Sequence, residues 1–242
     1  MKLKNIVLLL LLVTSTICRG QQVDSIAAAD RRDNAVLLPL SATLALAGTL
    51  THAIDGWEVI NLETREMVQQ WRSEHGPMDG APLHFDNYLQ LAPAAAPWVL
   101  KWAGVESRSS YRDLFWIEAE AFLAYNLVVQ TVKYTAHVKR PSSWADNSFP
   151  SGHTATAFWG AEIARTEFRE TAPWVGVCAY AAATLTGFMR IYNDRHWLGD
   201  VMAGAAVGIA SARFAYWLHP RLMSCFEPQQ VVDTSYSYSP SL

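Results

Sequence analysis

Long uncharged stretches set the strongest limit on what this chain can fold into. Residues 34–54 run for 21 positions without a charged side chain, and residues 171–189 form a second stretch of nearly that length. A helix that crosses a bilayer needs about 20 mostly apolar residues. Two further stretches, 121–132 and 201–212, are only 12 residues long, and a basic residue ends each. Such lengths suit buried helices as well as spans that end on a functional charge, so a soluble and a membrane-embedded bundle both stay open.

The apolar pattern is helical throughout the central part of the chain. No segment alternates as a half-buried strand would, and we therefore predict an all-α helical bundle of about six helices. The predicted helices are 34–54, the amphipathic 56–75, 112–134, 153–168, 173–191 and 197–218. Loops are predicted at 76–82 and 141–151, and the apolar stretch 87–100 is broken by Pro93 and Pro97.

The chain length bounds the domain organisation. Its 242 residues suffice for one sizeable domain and fall short of two ordinary ones. We place a single helical domain at 34–220, after a polar lead-in at 21–33. Residues 227–242 are rich in Ser, Tyr and Pro, which is typical of a flexible tail.

The first twenty residues resemble a signal peptide. Lys2 and Lys4 form a basic start, residues 6–13 are an apolar run, and Gly20 before Gln21 offers a cleavage point. An uncleaved anchor is the alternative, although the run is too short to span comfortably by itself. We therefore expect a bacterial envelope protein that is exported to the periplasm and inserted in, or associated with, the membrane.

Composition excludes several classes of protein. The 19 basic and 22 acidic residues give a net charge of −3, whereas a general nucleic-acid binder would carry a basic excess. Hydrophobic residues make up 51% of the chain, which is too many for a disordered one. Three cysteines do not make a disulfide framework, and we expect Cys178 to be a small core residue. No Cys/His cluster has zinc spacing, so we expect no metal site.

The residues that could carry chemistry fall in three short segments. They are Lys133 with Arg140-Pro141, then Pro150-Ser151-Gly152-His153, then Arg190 with His196 and Asp200. Each segment also has an ordinary structural explanation. Lys133 could face a helix C-terminus, Ser151 could be an N-cap, and His196 with Asp200 could be a surface i,i+4 pair.

Taken together, the first two segments and the first residue of the third suit a tetrahedral oxyanion. Lys133, Arg140 and Arg190 supply three cations, and the planar arginine fork matches phosphate oxygens bidentately. Ser151 and Gly152 stand where a loop enters a helix, and the backbone N–H groups of such a helix start bind anions. Glycine also lets an anion approach the backbone closely.

The two motif histidines suit group transfer to that anion. His196 and Asp200 are one helical turn apart, and a carboxylate on one ring nitrogen leaves the other nitrogen nucleophilic. His153 is then a second histidine, suited to protonate a leaving oxygen. This set of groups is what phosphoryl transfer without a metal requires.

In order, internal spacing and separation, the three segments resemble the signature motifs of the type 2 phosphatidic acid phosphatase and vanadium haloperoxidase superfamily. The resemblance implies a helical bundle and a phosphohistidine mechanism. It implies His196 as nucleophile, Asp200 as its orienting carboxylate and His153 as acid/base. The implied phosphate ligands are Lys133, Arg140, Ser151, Gly152 and Arg190. One position departs from the family pattern, because Met189 stands where a serine usually precedes the motif arginine.

We therefore expect a phosphatase that needs no cofactor. Its expected substrate is an envelope lipid phosphate: lipid A phosphate, phosphatidate, phosphatidylglycerophosphate or polyprenyl diphosphate. A soluble, broad-specificity periplasmic acid phosphatase acting on small phosphomonoesters is the alternative. A vanadium haloperoxidase, which would hold vanadate in a similar cradle, is a remote one because such enzymes are usually longer. A third alternative is a binding or scaffold protein with an inactive site, and the complete set of motif residues argues against it.

A few other polar and aromatic residues have simpler expectations. Trp144 could contact substrate at the rim of the site. His137 and Lys139 are expected to be solvated residues beside it. The remaining histidines have no potential partner at ligand spacing in the sequence; they are His52, His75, His84 and His219.

Overall fold

The computed structural model describes residues 24–77 and 83–226. The predicted signal peptide and the predicted tail therefore lie outside the described residues. Eight helices and no strand occur in the described ranges, which confirms the all-α prediction. In chain order they are α1 Asp24–Ala53, α2 Glu58–His75, α3 Asp86–Leu89, α4 Ala92–Trp102, α5 Tyr111–Ala136, α6 Gly152–Glu167, α7 Trp174–Tyr192 and α8 Leu198–Phe226.

The two helices beyond the expected six lie in the stretch that prolines were predicted to break. Helix α3 ends after four residues, and α4 begins after two intervening residues, with Pro93 in its first turn. Proline is tolerated there because the first backbone N–H groups of a helix have no intrahelical partner. Because the chain breaks between α3 and α4, the short helix α3 lies at one end of the bundle as a separate element.

Helix α8 is the centre of the bundle, in contact with α1, α5 and α6. Its close contact with α6 depends on glycine. A Cβ atom at Gly204 would lie 2.5 Å from the carbonyl oxygen of Ser151, and one at Gly208 would collide with the carbonyl of Ala155. These two positions let α8 approach the start of α6, where the second motif lies.

The predicted polar lead-in is part of helix α1. Residues 24–33 form its first turns, and two of their carboxylates pair with arginines of the core. Asp30 accepts two hydrogen bonds from the Arg108 guanidinium, at 2.7 and 2.8 Å, and Asp33 accepts one from Arg165 at 2.8 Å. The charges of this segment therefore fasten α1 to the bundle.

Arg213 explains why one apolar stretch looked too short to span. The uncharged stretch 201–212 stops at this arginine, but α8 continues to Phe226. The Arg213 side chain is 1% exposed and lies 3.3 Å from a carboxylate oxygen of Glu162. Because the charge is buried and paired, it does not interrupt the apolar exterior of the helix.

Three helices among the described residues are long and apolar enough to cross a membrane, judged by length and composition alone. They are Ala28–Ala53, Trp174–Tyr192 and Leu198–Phe226. The expectation that Cys178 lies in the core is wrong, because it is exposed on α7 beside an apolar groove against α4. Apolar surroundings along a sequence do not tell whether a helix face meets the core or the outside.

Candidate active site

The three predicted motifs meet at one end of the bundle, which we call the site end. Neighbouring helices run in opposite directions there, so the C-termini of α5 and α7 lie beside the N-termini of α6 and α8. This arrangement brings together Lys133 of α5, Ser151, Gly152 and His153 at the start of α6, Arg190 of α7, and His196 with Asp200 at the start of α8. Arg140 reaches the same place from the loop after α5.

His196 is buried against its carboxylate. Its Nδ1 atom lies 3.3 Å from Oδ2 of Asp200, and their side chains are 2% and 0% exposed. The ring sits just before α8, whose first turn holds Asp200, and that oxygen also accepts the Trp197 backbone N–H at 2.9 Å. Burial lowers the pKa of His196 to about 4, although Asp200 opposes this effect. A neutral ring bound through Nδ1–H leaves the lone pair of Nε2 free.

Two further side chains hold the same carboxylate, and the sequence interpretation missed both. Ser148 Oγ donates to Asp200 Oδ2 at 2.5 Å. His52 Nε2 lies 2.9 Å from Asp200 Oδ1, a partner that spacing along the sequence did not indicate. A ring that can hydrogen-bond inside a 21-residue uncharged stretch was an available signal, since polar groups in such helices face functional or buried partners. Nothing local distinguished Ser148.

His219 also has a partner that sequence spacing did not indicate. Its Nδ1 atom lies 3.0 Å from a carboxylate oxygen of Glu120, far along α8 from the site end. The partners of His52 and His219 are distant in sequence, and only helix packing brings them together.

Two of the three predicted cations converge on the loop before α6. Lys133 Nζ donates to the backbone oxygen of Asn147 at 2.6 Å, and Arg140 Nε donates to the side-chain oxygen of Asn147 at 2.9 Å. Neither contact is to a carboxylate. Burial, then the charges of Arg190 and Arg195, lower the pKa of Arg140. The positive charges at this end are therefore close enough to repel one another.

The third cation is held by a carboxylate that the motifs do not contain. Arg190 Nη1 donates to Oδ2 of Asp86 at 2.5 Å, and Asp86 is fully buried at the start of α3. Arg190 Nε is buried without a hydrogen-bond partner among the described residues. Leaving such a donor unsatisfied costs about 1–3 kcal/mol, which a bound anion could offset.

The start of α6 keeps its capping role and leaves room at the backbone. Ser151 Oγ accepts hydrogen bonds from Thr154 Oγ1 at 2.9 Å and from the Thr154 backbone N–H at 3.5 Å. A Cβ atom at Gly152 would meet only Val129 Cγ1, at an ordinary 3.9 Å. Packing at the Cβ position therefore does not demand glycine here, and the backbone N–H groups of a helix start are suited to bind an anion.

His153 is held by a second residue that the motifs do not contain. Its Nε2 atom lies 2.9 Å from the side-chain oxygen of Asn87, which can only accept. Burial, and then the charge of Arg190, lower the pKa of His153 to about 4. The ring is therefore neutral near pH 7, with its proton on Nε2. The dianionic form of a bound phosphate would raise that pKa by adding negative charge.

The remaining rim residues lie outside this cluster. Trp144 is 91% exposed, and Lys139 Nζ lies 5.8 Å from its ring centroid. His137 is exposed and pairs with Asp146 at 3.2 Å. Met189 is buried in α7, so the hydroxyl of the usual family serine is absent beside Arg190. No group of three or more His, Cys, Asp or Glu residues within 24–77 and 83–226 could hold a metal ion.

Comparison with known proteins agrees with the motif pattern. The family model of the PAP2 superfamily matches residues 115–224. Lipid A 1-phosphatase of Porphyromonas gingivalis is 40% identical over 134 residues, which are 55% of this chain and 30% of that protein. Bacitracin transport permease protein BcrC of Bacillus licheniformis is 38% identical over 78 residues, 32% of this chain and 36% of that protein. The match thus spans about a third of each of these relatives.

Two solved structures share the helical architecture. Aquifex aeolicus LpxE aligns with a TM-score of 0.50 at 21% identity, covering 65% of this chain and 94% of that one. A transmembrane PAP2-type phosphatidylglycerolphosphate phosphatase from Bacillus subtilis also gives a TM-score of 0.50, at 16% identity, covering 80% of this chain and 98% of that one. These likenesses confirm the predicted type of bundle.

Proposed function

Because the family model of the PAP2 superfamily matches residues 115–224, we propose that the chain is a membrane-embedded lipid phosphatase of this superfamily that acts through a phosphohistidine on His196. The observation that carries the proposal is the pairing of a buried, carboxylate-bound histidine with three cations at one end of the bundle. His196 Nδ1 faces Asp200, and its other nitrogen is left for phosphorus. Lys133, Arg140 and Arg190 lack enough carboxylates to neutralise them, so the site favours an anion.

The first step transfers the phosphoryl group to the enzyme. The phosphate oxygens accept hydrogen bonds from the three cations and from N–H groups at the start of α6. The Nε2 lone pair of His196 attacks phosphorus, and the P–O bond to the lipid breaks. His153, protonated once the dianion has raised its pKa, gives its proton to the departing oxygen. Asp200 stabilises the positive charge that forms on the His196 ring.

The second step releases inorganic phosphate. A water molecule attacks the phosphohistidine while the now neutral His153 accepts a proton from that water. The P–N bond breaks, and its electron pair returns to Nε2 of His196. The site regains its starting state with Nδ1–H of His196 on Asp200.

The exterior of the bundle supports a membrane setting. The exposed side chains of α1 between positions 35 and 49, and those of α7 between positions 174 and 188, are all uncharged. Helix α7 has 19 residues and is therefore about 28 Å long. That length is close to the roughly 30 Å thickness of the hydrocarbon core. Arg190 and His196 would then lie near one membrane interface, within reach of a lipid headgroup.

The lipid class is tested by a panel of substrates. Purified protein in detergent is offered lipid A 1-phosphate, phosphatidate, phosphatidylglycerophosphate, a polyprenyl diphosphate and a water-soluble aryl phosphate. We expect phosphate release from the lipids, with lipid A 1-phosphate foremost because the 40% identical relative is named for it. Strong preference for the aryl phosphate would replace the lipid assignment with a soluble-type acid phosphatase. Peroxide-dependent bromide oxidation with vanadate, without phosphate release, would contradict both.

We also propose that the site faces the periplasm, because the first twenty residues are predicted to be an export signal. Trp144→Cys, in a chain whose own cysteines are replaced, puts one thiol on the exposed rim of the site. A maleimide that cannot cross membranes is expected to label this thiol in cells whose outer membrane alone is permeabilised. Labelling only after complete lysis would contradict the proposed orientation.

A further inference from the structure

We propose that His52 is a positioning residue for the nucleophile: by holding the second oxygen of Asp200, it fixes the carboxylate that orients His196. The inference rests on the proposed function, since it concerns how the same nucleophile is aligned. His52 lies on α1, outside the segment that matches the PAP2 superfamily. The matched segment therefore does not contain the whole catalytic arrangement.

The hydrogen bonds around Asp200 carry the argument. One carboxylate oxygen, Oδ2, accepts from Ser148, from the Trp197 backbone and at 3.3 Å from His196. The other oxygen, Oδ1, has the 2.9 Å contact with His52 Nε2. Since a carboxylate oxygen only accepts, His52 donates. Without this donor, Oδ1 would be a buried charged oxygen with no side-chain partner among the described residues. The carboxylate could then rotate about its Cβ–Cγ bond.

The packing around His52 holds the ring in place. Helix α1 approaches the first turn of α8 at two glycines, because a Cβ atom at Gly48 would lie 2.5 Å from the Gly199 carbonyl oxygen. A Cβ atom at Gly199 would lie 3.1 Å from His52 Nε2. On its other side the ring meets Phe149 edge to face, with centroids 5.3 Å apart. The contact with Asp200 is therefore built into the interface between helices.

A purely structural role for His52 predicts a different behaviour from a positioning role. A donor on Oδ1 draws negative charge away from Oδ2, the oxygen that His196 uses. Removing the donor should make Asp200 a stronger partner for His196 and raise the pKa of His196. The other charged and titratable groups that face His196 are Lys133, Arg190 and His153, and they are unchanged by the substitution. A lost packing contact alone would not move this pKa.

The decisive pair of variants is His52→Met and His52→Gln, which are similar in size but differ in the N–H donor. Hydrogen-bond partners that orient metal ligands typically contribute about 10–100-fold to activity, and we take the same range for a partner that orients the carboxylate beside a nucleophile. We expect H52M to lose kcat by about that factor, with KM nearly unchanged because His52 is not a phosphate ligand. We also expect the fall of kcat/KM at low pH, called here the acid limb, to move to higher pH because the pKa of His196 is raised. H52Q should restore most of kcat and return the limb toward its wild-type position.

Asp30→Asn serves as the matched control on the same helix. It weakens the pairing of α1 with Arg108, about 33 Å from His52 for 22 residues of helix. D30N should lower the melting temperature while leaving the acid limb in place. If H52M does not fold, the pair His52→Asn and His52→Gln decides, because asparagine is one methylene too short to reach Asp200.

Wild-type kcat and an unmoved acid limb in the donor-free variant would overturn the inference. Equal losses in the donor-free variant and in H52Q would also overturn it. These results are distinct from failure of the proposed function, in which the wild-type protein itself releases no phosphate from any lipid of the panel.

Discussion

The two ends of the bundle both bury charged side chains, but they balance them differently. At the end opposite the site, arginines meet carboxylates in what we call the distal network. Its members are four arginines and four carboxylates: Asp30, Asp33, Arg108, Glu162, Arg165, Arg169, Glu170 and Arg213. At the site end, Lys133 and Arg140 donate to carbonyl and amide oxygens. Arg190 pairs with Asp86 but keeps an Nε atom without a partner among the described residues. A balanced cluster of charges fastens helices together, whereas an excess of positive charge favours an anion.

The arginine pKa values follow the same division. Burial acts to lower the pKa of Arg108, but the hydrogen bond and charge of Asp30 outweigh burial and raise it. Arg140 has no such partner, so burial and its cationic neighbours lower its pKa. The pKa values of the two arginines thus differ because their neighbours differ. At the site end the cations repel one another, and a bound phosphate would reduce this repulsion.

The largest expected effect is a loss of phosphatase activity while the fold is kept. His196→Ala removes the proposed nucleophile and should reduce phosphate release at least about 10⁴-fold. Labelled substrate should give no phosphoenzyme, and the helical circular dichroism should match the wild type. Retained turnover or labelling would place the nucleophile elsewhere.

Breaking the distal network should instead lower stability and leave activity unchanged. Arg213→Met removes one of the two arginines that pair with the buried Glu162. Because Arg165 stays paired with Glu162, the loss should be below the roughly 3–5 kcal/mol that an uncompensated buried charge costs. Thermal unfolding in detergent should show the loss. Specific activity per folded molecule should stay near the wild-type value, since Arg213 lies far from the site end. A variant that keeps its stability would mean that the distal network does not fasten the bundle.

At the site end, removing a cation should separate activity from stability. Arg140→Gln takes away one proposed phosphate ligand, and losing one donor to developing charge costs about 10²–10³-fold in kcat. Its thermal stability should not fall and should rise slightly, because repulsion with Arg190 and Arg195 is relieved. A fall in stability like that of Arg213→Met would contradict the contrast between the two ends.

The pH dependence of stability should also differ with the occupancy of the site. Burial lowers the pKa of His153 and of His196 to about 4, below the ordinary 6.5 of the unfolded chain. The unfolded state therefore binds more protons between these values, so the empty protein should lose stability as pH falls from about 6.5 toward 4. Saturating phosphate should reduce this fall, and His153→Ala should reduce it without phosphate. Melting curves at several pH values measure all three.

The smallest effect is expected at the rim. Trp144 is almost fully exposed, so Trp144→Ala should leave stability and kcat nearly unchanged. If Trp144 contacts lipid at the mouth of the site, KM for a lipid phosphate should rise about threefold, since one exposed cation–π or ring contact is worth about 0.5–1 kcal/mol. KM for a soluble aryl phosphate should not change, which makes that substrate the control.

Local spacing made most of the helices and the motif residues predictable. His196 and Asp200 are four residues apart, and the i,i+4 rule already put them together. The other partners of the site were not predictable in this way. His52 is 148 residues from Asp200, and Asn87 is 66 residues from His153. Such contacts depend on which helices pack together, which no short-range pattern specifies.

The sequence by itself determined the class of fold, the order of the three motifs and the groups available for phosphoryl transfer. It did so because helical periodicity and motif spacing are local properties of the chain. Only the tertiary structure decided that Arg213 is neutralised inside the bundle, that Asp86 holds Arg190 and that His52 reaches Asp200. The reason is that the energy of a buried charge depends on its partners in space, and packing of α1, α3 and α8 selects those partners.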